Sequence, residues 1–513
     1  MIRRNTRWTW AAAATLPLLL TLSACSDGGS DDDASGGSAV LLTNSDVSSW
    51  DPAKCGADQP GFGACDAVYG ALMRWDMDAQ EAVPEMAESL TTEDGVTWNL
   101  TLRDEMTFSD GTPFDAAAVD YNWKRIIDPA TATRAINALR GVEWKVQDDL
   151  RLAITLPRVN YQFPIELTTN LAFIGSPTAL KELGDDFFTK PVGAGAFLLT
   201  DWVQGTSTEL ERSDSYWDAP RPNLDAVTIR IVPEDTVRAD SLRSGEADIN
   251  LHFLDELGAE LSDEGFDAHT VSSLSGSVFS ANAGMEHTSD PDVRMALAKA
   301  AGAAKIVETL YPGATVPTTL IDESFDLDVK ATLAEENLDE AQKLLDGYLQ
   351  RSGNSEIEIV YSVGTWSPLL KQLAEFVQAN LNRLDGLTVK LDSLDMAAMT
   401  AKTTAKEVQF GHHSVSGLAL DSLYDFYHST GSQNVVRYSD PKVDAALEKS
   451  RSTPDAAQAK AAYEEAVEIA TASNVFTPYR RLVSYFQHND KVSGLVQGGT
   501  FMALELDQLR KAD

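Results

Sequence analysis

The sequence predicts an α/β protein built in several lobes, and three observations carry that expectation. At 513 residues the chain is too long for one hydrophobic core, and length sets a prior of about three domains. Apolar periodicity switches between two and 3.6 along the chain, so strands and helices alternate. One stretch, residues 356–392, reads as a complete βαβ unit. Residues 356–361 (EIEIVY) alternate as a strand, 369–384 carry apolar residues at helical spacing, and 387–391 (LTVKL) form a second strand. Parallel strands joined in this way imply a right-handed crossover.

Composition fits a soluble globular body, with 43% apolar and 23% charged residues. The formal charge of -37 repels phosphate backbones, so nucleic-acid binding is not expected. At the N-terminus Arg3, Arg4 and Arg7 precede an apolar run over 8–20 and the small residues Leu22-Ser23-Ala24 before Cys25. This order is that of a secretory signal, too short for a spanning helix. Cys25 resembles the lipidated cysteine of bacterial lipoproteins, which makes 1–25 a leader; a plain signal peptide with an incidental cysteine is the alternative. Residues 26–38 (SDGGSDDDASGGS) bury nothing and read as a flexible tether spanning about 20 Å. No later window supplies eighteen consecutive apolar residues, so no membrane span is expected in the remainder.

With Cys25 lipidated, Cys55 and Cys65 remain as an even pair in an oxidising compartment. A disulfide closing this Gly-rich loop would stabilise the fold by about 2–3 kcal/mol on the chain-entropy argument. Two thiols with no neighbouring histidine do not make a zinc set.

Further along, 97–102 (TWNLTL) alternates as a strand, and the turn 109–112 precedes a helix over 115–127 begun by an acid. Residues 226–232 (AVTIRIV) form another strand, leading to a helix that ends near Gly245. Long helices with charged faces are expected over 335–350 and 455–472, and no repeat of 20–50 residues is visible. In open α/β sheets ligands sit outside the carboxyl ends of the strands, which puts Trp366, in the loop after the first βαβ strand, beside a crevice. A core tryptophan is the alternative.

Four stretches now belong together: 102–120 (LRDEMTFSDGTPFDAAAVD), 193–225 beginning GAGAFLLTDW, 242–249 (LRSGEADI), and Asn282 followed by 290–300 (DPDVRMALAKA). In this order, behind a lipoprotein-like leader, they resemble the solute-binding proteins of family 5, the oligopeptide- and dipeptide-binding subunits of bacterial ABC importers. Ala194 and Ala196 stand where the family more often has Thr and Pro, a change confined to a turn.

The resemblance implies a periplasmic-binding-protein-like α/β fold of class II, the large peptide-binder type, with two lobes on a hinge and an inserted third domain. Lobe I would comprise 39–73, 191–276 and 482–513, the inserted domain 74–190, and the other lobe 277–481. It further implies capture of a peptide or peptide-like solute by hinge closure. Delivery would be to ABC permease subunits whose ATPase acts in trans. A monomer without cofactor or resident metal follows, held at the outer face of the cytoplasmic membrane by its lipid, or periplasmic. An oligosaccharide or a nickel or other metal chelate are the other ligands the fold accommodates, and a peptide-signal receptor would share the same pocket. A membrane-anchored hydrolase is the competing class, but the sequence has no G-x-S-x-G, S-x-x-K or H-E-x-x-H pattern, and no phosphate loop.

The segment 410–421 (FGHHSVSGLALD) holds two of seven histidines. The family places an amine-clamping acid here, at a position that counts back to Ser416, yet no acid lies between Glu407 and Asp421. Adjacent histidines in a strand point opposite ways, so a metal would need ligands from other loops. Phe410, Gly411, His412 and His413 are therefore expected at the end of a strand over 408–410, as pocket wall. Matching positions add His252 and Phe253 at the hinge edge, and the Cys55–Cys65 loop at the cleft mouth, presenting Asp58, Gln59 and Phe62. Tyr479, Arg480 and Arg481 stand at the far hinge. Either arginine could meet a ligand carboxylate or neutralise nearby acids.

Overall fold

The computed structural model describes residues 36–55 and 61–512. The leader, Cys25, most of the tether, and Asp58 and Gln59 lie outside the described residues. Among the described residues no helix is long and apolar enough to cross a membrane.

Two large sheets organise the chain. The first has seven strands in the order Asp267–Ser272, Val483–His488, Ile249–His252, Ser38–Thr43, Ala226–Ile231, Ser207–Arg212 and Phe197–Val203. Ser38–Thr43 runs parallel to both Ala226–Ile231 and Ile249–His252. The carboxyl ends Thr43, Ile231 and His252 therefore lie along one edge. The second sheet has five strands, Leu387–Leu394, Ile357–Gly364, Phe410–Val415, Gly276–Ala281 and Phe476–Arg480. Its first three strands are parallel, so Gly364, Leu394 and Val415 likewise share an edge.

The βαβ unit forms as its periodicity demands. Helix Pro368–Leu381 is capped by Ser367, whose hydroxyl accepts the Leu370 amide, and buries Leu373, Ala374, Val377 and Leu381 on the sheet. It stops three residues earlier than its apolar spacing suggests, because the Asn382 side chain accepts the Val389 amide at 2.7 Å and turns the chain into the next strand. The long helices begin at their own caps, Asn337 and Asp455, and span Leu338–Ser352 and Ala456–Ser473.

A four-stranded antiparallel sheet of Ala87–Thr92, Thr97–Leu102, Arg151–Thr155 and Glu143–Val146 is inserted between strands of the first large sheet. Helix Ala116–Ile127, capped by Asp115, covers it. Trp98, Leu100, Leu102, Phe108, Phe114 and Trp123 make its own buried core. In the GAGAF turn, a Cβ at Gly193 would lie 2.1 Å from the Val68 carbonyl oxygen and one at Gly195 2.4 Å from that of Ala67. Only glycine lets this turn press against helix Phe62–Tyr69, whereas Ala194 and Ala196 meet no such demand.

Among the described residues two segments of chain connect the large sheets, Ser272 to Gly276 and Arg480 to Val483. They run side by side, with the Ser273 amide donating to the Leu482 carbonyl at 3.0 Å. Gly276 has φ +107°, and a Cβ there would meet the Arg480 carbonyl oxygen at 2.4 Å. This double strand is the hinge.

Candidate functional site

The registers fix what faces the hinge. Ser272 is paired with Val483 and His252 with Tyr485, so the carboxyl edge of the first sheet lies on the hinge side. Gly276 is paired with Val415, which places the carboxyl edge of the second sheet there too. Two crevices of the kind open α/β sheets use for ligands thus confront each other across a two-strand hinge.

In this structure the cleft is closed on side chains from all three bodies. Trp75 and Ile165 of the inserted region, Val271, Phe253 and Phe501 of the first lobe, and Leu418 and Ala419 of the second form one apolar cluster. Polar contacts flank it. The Tyr161 amide donates to the Arg451 carbonyl at 2.7 Å, and Arg158 pairs with Glu448 at 3.0 Å.

Behind this seam Arg451 donates from Nε and Nη2 to the two oxygens of Asp421, at 2.7 and 2.6 Å, and lies 3.5 Å above the ring of Tyr424. The Tyr463 hydroxyl donates to the same carboxylate at 3.1 Å. Burial opposes the charge of Arg451, but Asp421, Asp425 and Glu166 more than offset it and hold the guanidinium protonated. Glu166, from the inserted domain, accepts from Asn170 at 2.9 Å; burial and the facing Asp425 push its carboxyl up to about 7. Sequence reasoning missed Glu166, because nothing in the local pattern signals that residue 166 meets residues 421–451.

The candidate residues distribute as follows. Trp366 is 45% exposed at the carboxyl edge, its ring lying across Gly364, where a Cβ would come within 2.2 Å. Ser416 is half-buried at the same edge and Phe253 joins the apolar seam. Phe62 is buried at the start of its helix and abuts Gly499, inside the segment that the Cys55–Cys65 disulfide closes.

The strand expected to end at Phe410 begins there and continues to Val415, because its ladder with Gly276–Ala281 runs unbroken. The two histidines are therefore inside the sheet and point to opposite faces. His412 shares a 3.0 Å hydrogen bond between Nδ1 and the Tyr479 hydroxyl. His413 stacks on Phe476 at 5.6 Å. Burial lowers His412 to about 3, helped by His413 and Arg480, and lowers His413 to about 4, so both imidazoles are neutral. Phe410 is packed against Tyr361 and Phe279, and Gly411 lets the strand approach the Ser362 carbonyl.

His252 is fully buried, stacked on Tyr485 at 5.1 Å and lowered to about 4 by burial and by Arg238. Tyr479 is fully buried and stacked on Phe279. Both arginines are occupied by protein. Arg480 donates to the Phe253 carbonyl, lies 3.8 Å from Asp255 and caps the Tyr311 ring, tying the lobes beside the hinge. Arg481 donates to the carbonyls of Ser275, Thr319 and Ile321 and lies 3.4 Å from Asp322. Among the described residues no group of three or more His, Cys, Asp or Glu side chains is disposed to hold a metal ion.

A cavity lies between helix Phe62–Tyr69 and the C-terminal segment. Asp66, Glu85, Glu505 and Asp507 line it with Arg74 and Tyr216. Burial raises all four carboxyls, and repulsion by neighbouring acids adds to it at Asp66, Glu85 and Glu505.

Residues 81–437 match the family model described as bacterial extracellular solute-binding proteins, family 5. The chain is 28% identical over 466 residues to the glutathione-binding protein GsiB of Pectobacterium atrosepticum, covering 87% of this chain and 89% of that one. It is 23% identical to the dipeptide-binding protein DppE of Bacillus subtilis, covering 95% and 96%. In fold it is similar to the periplasmic binding protein DppA of Helicobacter pylori, solved with the peptide STSA. There the TM-score is 0.79 at 22% identity, over 93% of this chain and 98% of that one.

Proposed function

The chain belongs to the bacterial extracellular solute-binding proteins of family 5, and from that membership we propose that it captures a short peptide or peptide-like solute between its two lobes. The single observation that carries this reading is the pair of carboxyl edges facing each other across a two-strand hinge. Closure there removes the solute from water and surrounds it with protein groups, which is binding without chemistry. The closed form then presents the solute to an ABC permease with its ATPase in trans. The protein is a transport component and not an enzyme, anchored through Cys25 on a short tether in the cell envelope. The lobes divide as 39–73 with 191–276 and 482–513, against 277–481, with 74–190 inserted.

Solute contacts fall to Trp366, Ser416 and Phe253 at the facing edges, while Phe62, buried in the core of the first lobe, backs the disulfide loop. His412, His413, Phe410, Gly411, His252 and Tyr479 set the wall behind them, and Arg480 and Arg481 hold the hinge. Asp421 is committed to Arg451, so it does not serve as a free amine clamp in place of the acid absent at Ser416. Mass spectrometry of the solute retained by the purified protein tests the reading. A peptide or peptide conjugate is expected. A retained sugar or nickel chelate overturns the ligand class, and turnover of a substrate overturns the transport role.

A further inference from the structure

Closing the cleft brings together more negative than positive charge. From the second lobe come Asp421 and Asp425 with one cation, Arg451, and from the inserted domain comes Glu166. Arg451 spends its Nε and Nη2 donors on Asp421 in a bidentate pair, the geometry that satisfies one carboxylate most completely. Asp425 is left with the Ser432 hydroxyl at 2.8 Å and Glu166 with the Asn170 amide. The strand Met73–Asp76, which packs on the Glu166 segment, brings no relief. Its Arg74 lies 3.7 Å from Glu85 and 3.5 Å from Glu505. Nor does the flanking Arg158, which is exposed and paired with Glu448. The Tyr161 amide on the Arg451 carbonyl fixes this segment against the second lobe, so Glu166 meets these acids only when the lobes are together.

We propose that closure of the cleft is coupled to proton uptake at Glu166, which makes solute capture stronger in acid than in alkali. The inference rests on the cleft-closing function above. With the lobes apart, Glu166 is hydrated and titrates as an ordinary glutamate, whereas with the lobes together it titrates at about 7. The closed state therefore binds more protons in the window between those values. The closing equilibrium gains at most about tenfold for each pH unit lowered from 7 towards 5, and is flat above 7 once Glu166 is ionised in both states. Glu166 stays half-buried, so the realised slope is smaller than full desolvation would give. Asp425, also raised by burial, acts in the same direction.

Hydrogen exchange at the Tyr161 amide reads closure without any solute, because that amide is protected by the Arg451 carbonyl of the opposite lobe. The full chain and its Glu166→Gln variant are compared between pH 5 and 8.5, with rates corrected for intrinsic base catalysis. Protection in the parent should fall as pH rises to about 7 and then level off. In Glu166→Gln it should be high, with only the weaker pH dependence that Asp425 contributes. Strand amides such as Leu100 and Leu152 report whether the variant is folded. A parent protection that does not change with pH, or a variant that keeps the parent's slope, overturns proton coupling while leaving capture intact. A Tyr161 amide that exchanges only as slowly as Leu100 at every pH overturns cleft opening, and capture with it.

Discussion

Asp421 and Arg451, thirty residues apart, meet edge to edge behind the cleft, with both carboxylate oxygens engaged at 2.7 and 2.6 Å and Tyr463 closing the third side. This pairing decides the character of the loop before it. An acid that could have gripped a solute's amine is already neutralised by the protein, and the loop 416–420 offers the cleft small and apolar groups.

Asp421→Asn keeps the shape and removes the charge, leaving Arg451 largely buried without its counter-ion. Breaking a buried pair from one side costs about 3–5 kcal/mol, and the partial exposure of Arg451 puts this one at the lower end. Urea unfolding should show the loss, and the double variant Asp421→Asn with Arg451→Met should recover part of it.

Gly276→Ala places a Cβ 2.4 Å from the Arg480 carbonyl oxygen at a φ of +107°. The hinge strands must separate to accept it, at a cost of more than about 1 kcal/mol. The expected signature is a lower unfolding midpoint together with faster exchange of the Ser273 amide, which is held by Leu482 across the hinge.

The acid-lined cavity makes stability depend on pH with a defined sign. Asp66 is raised well above the usual aspartate range, by burial first and then by Asp507 and Glu85. A raised carboxyl means that the folded state holds its proton longer, so this contribution to stability declines as pH rises above about 4 and continues to decline until the folded-state value is passed. Thermal midpoints measured from pH 4.5 to 8 should decrease more steeply in the parent than in Asp66→Asn.

His413→Phe should be close to neutral or stabilising. The imidazole is already uncharged, stacks on Phe476, and has an Nε2 with no hydrogen-bond partner. Exchanging it for a ring of similar shape removes an unsatisfied polar atom, worth up to about 1–2 kcal/mol. A metal-binding role for this side chain would instead show as loss of a nickel-dependent rise in the midpoint.

Much of the fold was legible from short-range rules. The βαβ unit of 357–394, the Asp115-capped helix and the Cys55–Cys65 bond follow from periodicity, capping and cysteine pairing, each read within a window of a few dozen residues. The strand at 408–410 was misread in extent because whether it continues depends on Gly276–Ala281, more than a hundred residues earlier, offering a ladder. The histidine pair was conspicuous and turned out to sit within a sheet, while Glu166 was inconspicuous and came to face the second lobe.

By itself the sequence determined the class of fold, the order of its parts and the family, since these rest on local propensity, alternation and contiguous motifs. Only the tertiary structure decided which charges face the cleft and which are already spent. Arg480, Arg481 and Asp421 carry the residue types a ligand site would need, and each is consumed by a partner distant in the chain. Whether a charged side chain is free is a property of the space around it, set by packing between lobes, and no reading along one strand or helix contains that information.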